Sequence, residues 1–198
     1  MRASMLVAAT AAAVLSIEAS AATLRFDDSA TILSTNQWQY TVDDIEVTVT
    51  SNGGRIFYNS VEDAIGVGTN LLNGAMSWGE TLTVSFDRPV YLSQISFRQW
   101  ENPGPVFGIV YDEVVLSSGD TLLTLTDSGQ GIFDLVDHFA LPDLLVDSFT
   151  LTPNNKRTAV YLWGIDVQEV PLPGAVWLFG SALAGLGIVR RRRQPQLA

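Results

Sequence analysis

In IEVTVT, residues 45–50, Ile45, Val47 and Val49 alternate with Glu46, Thr48 and Thr50. A period of two places each set on its own face of a strand. TLTVSF repeats the pattern with Leu82, Val84 and Phe86, and SQISF repeats it with Ile95 and Phe97. TLLTLTD, DSFTLTP and AVYLWGIDVQEV continue in the same style. Asn52-Gly53-Gly54, Asp87-Arg88-Pro89, Ser118-Gly119-Asp120, Ser128-Gly129 and Pro153-Asn154-Asn155 stand between these runs and predict turns. No helical stripe recurs inside this region, although residues 134–140 have room for one helical turn. Short strands at regular spacing predict an all-β domain over residues 23–169, built as an antiparallel two-sheet sandwich.

The two ends of the chain follow other patterns. At the N-terminus Arg2 precedes an apolar run from Met5 to Leu15 and then Ala19-Ser20-Ala21. A basic residue, a short apolar core and an A-x-A site predict a secretory signal helix over residues 1–22, cleaved after Ala21 or Ala22. A retained anchor is the alternative, but the run is shorter than the ~20 residues that span a bilayer. At the C-terminus, residues 170–193 read VPLPGAVWLFGSALAGLGIVRRRR, and residues 194–198 form a short tail. Gly174 to Val189 carry no charge. As a transmembrane helix they would cover about 24 Å, and snorkelling arginines can extend that reach. Trp177 and Gly180 lie within this run, and small residues at Gly180, Ser181, Ala184 and Gly185 suit close helix packing. Arg190, Arg191, Arg192 and Arg193 hold the end in the cytoplasm by the positive-inside rule. Pro171 and Pro173 keep the stretch before the helix extended.

This order of proline pair, apolar helix and basic cluster resembles the PEP-CTERM sorting signal of exopolysaccharide-producing Gram-negative bacteria. Leu172 stands where that motif has its central Glu. The resemblance implies an integral-membrane exosortase as partner, which recognises Pro171 and Pro173 and cuts near them. Gly174 to Val189 would then be the transit helix and the four arginines its stop. A plain C-terminal anchor is the alternative, although such an anchor needs neither Pro-x-Pro nor so short a helix.

Charge narrows the choice of partner. Between residues 23 and 169 stand 20 Asp/Glu and 6 Lys/Arg, so this region carries about −14 against −10 for the whole chain. Such a surface repels phosphate backbones, which argues against nucleic acid. It favours a neutral or cation-bridged polysaccharide. The absence of cysteine excludes disulfides, thiolate nucleophiles and Cys-based zinc sites.

GETLTVSFDRPVYLSQISF, with LRFDD before it and WGIDVQEV after it, resembles the jelly-roll core of exported carbohydrate-binding domains. That resemblance implies neighbouring first and last strands and a structural calcium, with Asp27, Asp28 and Asp166 as its ligands. Calcium takes six to eight oxygens. Three carboxylates do not complete that shell, and the alternative makes them solvated turn acids.

Catalytic patterns are sparse. Asp43/Asp44, Glu62/Asp63 and Asp112/Glu113 are adjacent pairs, and neighbours in a strand point to opposite faces rather than across a cleft. His138 is the single histidine, with Asp134 and Asp137 nearby, and no G-x-S-x-G elbow marks a serine. No catalytic residue is assigned. Aromatics are more suggestive. Trp100 opens WENPGPVFG, where Pro103 and Pro105 stiffen the loop and Glu101 and Asn102 could fix sugar hydroxyls. Trp78 in SWGE and the Trp38/Tyr40 pair fit core packing better. The expected function is that of an exported, non-catalytic cell-envelope or biofilm-matrix protein. It would be sorted by exosortase, pass through the inner membrane, end at the cell surface or in the matrix, and bind glycan around Trp100, Glu101 and Asn102. The competing reading is a small secreted hydrolase acting on exopolysaccharide.

Overall fold

The computed structural model describes residues 21–68, 74–98, 113–126, 136–156 and 158–170. Trp100, Glu101 and Asn102, Pro171 and everything after it, and most of the signal segment lie outside the described residues. Among the described residues no helix is long and apolar enough to cross a membrane, and residues 174–189 are not among them. Ser20–Val170 forms one compact unit.

The described chain is all-β, and its strand pairs are antiparallel. Its strands are β1 (Ala21–Arg25), β2 (Thr31–Ser34), β3 (Gln37–Val42), β4 (Ile45–Asn52), β5 (Arg55–Asn59) and β6 (Ala64–Gly68). They continue as β7 (Met76–Ser77), β8 (Thr81–Arg98), β9 (Glu113–Ser118), β10 (Thr121–Thr126), β11 (Asp137–Pro153) and β12 (Ala159–Glu169). The main path runs β10-β9-β11-β8-β12-β6-β5. β4, β3 and β2 extend from β8 in turn, while β1 and β7 pair with β12. The sheet curls into a half-barrel.

Two long strands produce the curl. The first part of β8 runs between β4 and the last part of β11, with Val49↔Val84 on one side and Phe149↔Val84 on the other. Its second part runs between β12 and the first part of β11, with Ile165↔Ile95 and Phe139↔Ile95. Asp87-Arg88-Pro89, expected as a turn between strands, is a corner within one continuous strand. There β8 advances from Ser85 to Val90 while β11 advances only from Ser148 to Val146. Bulged corners of this kind bend a strand sharply without losing its ladder. Arg88 fastens the corner: it donates to Glu169 Oε1 at 2.9 Å, to Asp87 Oδ1 and to the Asp44 carbonyl.

The inward residues follow the alternation. Ile45, Val47, Val49, Leu82, Val84, Ile95 and Phe97 are fully buried in one apolar cluster with Leu116, Leu151 and Val167. Asp137–Ala140, given room for a helical turn, instead pairs with β8 as strand, His138 opposite Ser96. Favourable pairing along a central strand outweighs the weak local preference of so short a segment. β1 pairs with β12 from Ala21↔Gln168 to Arg25↔Gly164, so the first and last described strands are neighbours.

Candidate ligand-binding site

β12 changes phase halfway along. Leu162 pairs with Phe97 and Gly164 with Ser96, which leaves Trp163 as the extra residue of a bulge. Strict alternation would put Tyr161, Trp163, Ile165 and Val167 on one face. The bulge instead sends Leu162, Ile165 and Val167 into the core and leaves Trp163 half-buried on the outer face. Tyr161 shares that face and is covered by Ala64 and Ala75.

The outer face around Trp163 gathers polar groups from four strands. His138 of β11, Ser96 of β8, Gly164 of β12 and Arg25 of β1 stand in one cross-strand row. Gly164 is required there, because a Cβ at that position would come within 2.9 Å of the Leu24 carbonyl oxygen. Arg25 lays its guanidinium over the Trp163 ring, 3.5 Å from its centre, and Arg98 lies 5.9 Å from the same centre. Both are cation–π distances. His138 meets the indole edge to face at 5.8 Å. Ser96 Oγ is 2.7 Å from His138 Nδ1, and Gln94 Nε2 is 3.3 Å from the same atom. Arg25 also donates to Asp63 at 2.6 Å, and Asp63 accepts from the Tyr58 hydroxyl at 2.8 Å.

The residues singled out in the sequence are distributed elsewhere. Asp27 accepts from the Ser29 amide at 2.9 Å, and the hydrogen bond from the Ser29 side chain is the main cause that lowers its pKa. Asp166 accepts from Thr23 Oγ1 at 2.7 Å. Among the described residues no group of three or more His, Cys, Asp or Glu side chains is placed to hold a metal. Asp43 and Asp44 are the two left-handed residues at the tip of the β3–β4 hairpin, as a two-residue turn of this kind demands. Glu113 accepts from Asn154 at 2.8 Å. The buried hydroxyl of Ser96 faces His138, while Asp137 adjoins that histidine in the same strand and Asp134 lies outside the described residues.

Trp38 and Tyr40 are core residues, with Tyr40 edge-on to Phe26 at 5.2 Å. Trp78 departs from that expectation: it is 54% exposed. It occupies the turn from Ser77 to Glu80, closed by Glu80 N to Ser77 O at 3.0 Å, with Gly79 at φ 86°. The buried Glu80 carboxylate accepts from Ser77 N at 2.8 Å and Ser77 Oγ at 2.9 Å, so the turn that presents Trp78 is held from both ends. Sequence reasoning missed Arg25, Arg98 and Trp163 as a group. The available signal was Gly164, a lone glycine inside a strand pattern, which points to a bulge.

No family model matches the chain, and no curated protein or solved structure matches it.

Proposed function

We propose that this chain is an exported, non-catalytic cell-envelope or biofilm-matrix protein, delivered through a PEP-CTERM-type tail and acting by binding glycan. The observation that carries the reading is the order of elements in residues 170–193: Pro171 and Pro173, sixteen uncharged residues, then Arg190 to Arg193. A signal segment in front and arginines behind orient the domain away from the cytoplasm. An extended Pro-x-Pro strip beside the membrane is a shape that a processing enzyme can grip. On this reading an exosortase removes the tail and the curled sheet serves as a jelly-roll-like sandwich at the surface.

Binding is favoured over hydrolysis because acids of the expected pairs have structural partners: Asp63 with Arg25 and Tyr58, Glu113 with Asn154. The exposed Trp78 on its braced turn supports an aromatic platform of the kind sugars stack on. Mass spectrometry of the surface form from the native host tests the delivery. The mature protein is expected to lack Gly174 to Ala198, and Pro171→Ala with Pro173→Ala should leave full-length precursor in the inner membrane. An intact C-terminus on the wild-type surface protein would overturn the reading.

A further inference from the structure

We propose that the outer face around Trp163 binds a carboxylate carried by an acidic sugar, with Arg98 as its main partner. Among the described residues, three buried side-chain nitrogen or oxygen atoms have no hydrogen-bond partner: Arg25 Nε, Arg98 Nε and Trp163 Nε1. All three are N–H donors, and all three belong to the cluster around one indole ring. Buried donors without acceptors are uncommon and costly, so three in one place mark a site short of acceptors.

The local charge identifies the acceptor. Arg25 is paired with Asp63, and Arg88 is paired with Asp87 and Glu169. Arg98 is half-buried, and no carboxylate pairs with it among the described residues. Among the described residues the cluster therefore holds about one uncompensated positive charge inside a strongly acidic domain. A single carboxylate balances it. A phosphate would bring surplus negative charge into that domain. The planar guanidinium also matches a carboxylate as a two-toothed fork. Ser96 and Gln94 engage His138 through Nδ1, which orients the ring and leaves Nε2 for the hydroxyls of the same sugar.

The ligand meets side chains here, and not a backbone edge. β8 is paired on both sides, by β11 and β12, and β12 has β8 on one side and β1 and β6 on the other. An extended peptide therefore has no open strand to join at this place. The choice of a sugar over an acidic side chain of a protein rests on the matrix-protein reading above.

Calorimetry on the full-length chain in detergent, with EDTA present, tests the proposal. The probes are an oligogalacturonate, its fully methyl-esterified form, a neutral cellulose oligosaccharide and a glutamate-rich peptide. The oligogalacturonate is expected to bind, and methyl esterification to weaken it at least tenfold. Arg98→Ala should weaken it by a similar factor and Arg98→Lys by less, because lysine keeps the charge and loses the fork. Near-ultraviolet circular dichroism checks that both variants are folded. The ester comparison on the wild-type chain stands even if neither variant folds. Equal binding of acid and ester, or of the neutral oligosaccharide with and without Arg98, would overturn the carboxylate site while leaving glycan binding intact. Arg98-dependent binding of the peptide alone would overturn the sugar and the glycan reading together. Binding of none of the four would overturn the site.

Discussion

Tyr58 donates its hydroxyl proton to Asp63 at 2.8 Å, on the same carboxylate that Arg25 holds at 2.6 Å. The hydrogen bond to Asp63, helped by desolvation and by the negative charge itself, pushes the Tyr58 pKa up from 10.0 to about 12. A group whose folded-state pKa is raised contributes its stability fully below the unfolded value. The contribution of Tyr58 is thus present below pH 10 and is lost as pH rises towards about 12. Replacing Asp63 by Asn removes the negative charge. Absorbance titration of the phenolate band should then show one tyrosine ionising at lower pH than in the wild type. An unchanged titration curve would contradict the pairing. Loss of the half-exposed Arg25 ion pair should itself cost no more than about 1 kcal/mol.

The docking of β1 on β12 depends on close backbone approach at Gly164. A Cβ there would stand 2.9 Å from the Leu24 carbonyl oxygen, a backbone atom that moves only if β1 moves. Gly164→Ala should therefore destabilise the protein by about 1–3 kcal/mol. Urea unfolding would show a lower midpoint, and amide exchange should quicken first across Ala21–Arg25. Ala22 of the same strand is buried opposite Val167. On the proposed export route, a cut after Ala21 would keep that contact, whereas a cut after Ala22 would remove it. Along β8 the corner at Asp87-Arg88-Pro89 depends on bonds to two distant elements, the tip of the β3–β4 hairpin and the end of β12. Three local residues that spell a turn therefore act as a bend within a strand.

For the molecule as a whole, the compact unit Ser20–Val170 contains all the buried hydrophobic side chains among the described residues. The continuous apolar cluster within this unit predicts that residues 23–169 fold alone into an all-β domain. Circular dichroism should show sheet without helix, and unfolding should be a single cooperative transition. A helical spectrum, or a chain that stays unfolded without its tail, would contradict this. Net charge works differently at this scale than at the site. About −14 over residues 23–169 suggests that anionic ligands are repelled. Yet Arg25 and Arg98, two of the six basic residues in that stretch, converge on one indole. Contact chemistry a few ångströms away outweighs distant acids, which salt screens over about 8–10 Å.

The inward faces of β4 and β8 were legible in the chain itself. Ile45, Val47, Val49, Leu82, Val84, Ile95 and Phe97 are buried wherever their strands pair, because the face of a side chain follows from local geometry with a period of two. Which strands lie side by side is not a local property. Thr23 meets Asp166, and His138 meets Ser96, through pairings between distant parts of the chain. The bulge at Trp163 arises only because β12 must stay in register with β8 on one side and β1 on the other. That single extra residue moves an indole from the core face to the outer face, between two arginines. The candidate binding site was therefore decided by tertiary pairing, since no one segment contains enough of its residues to announce it.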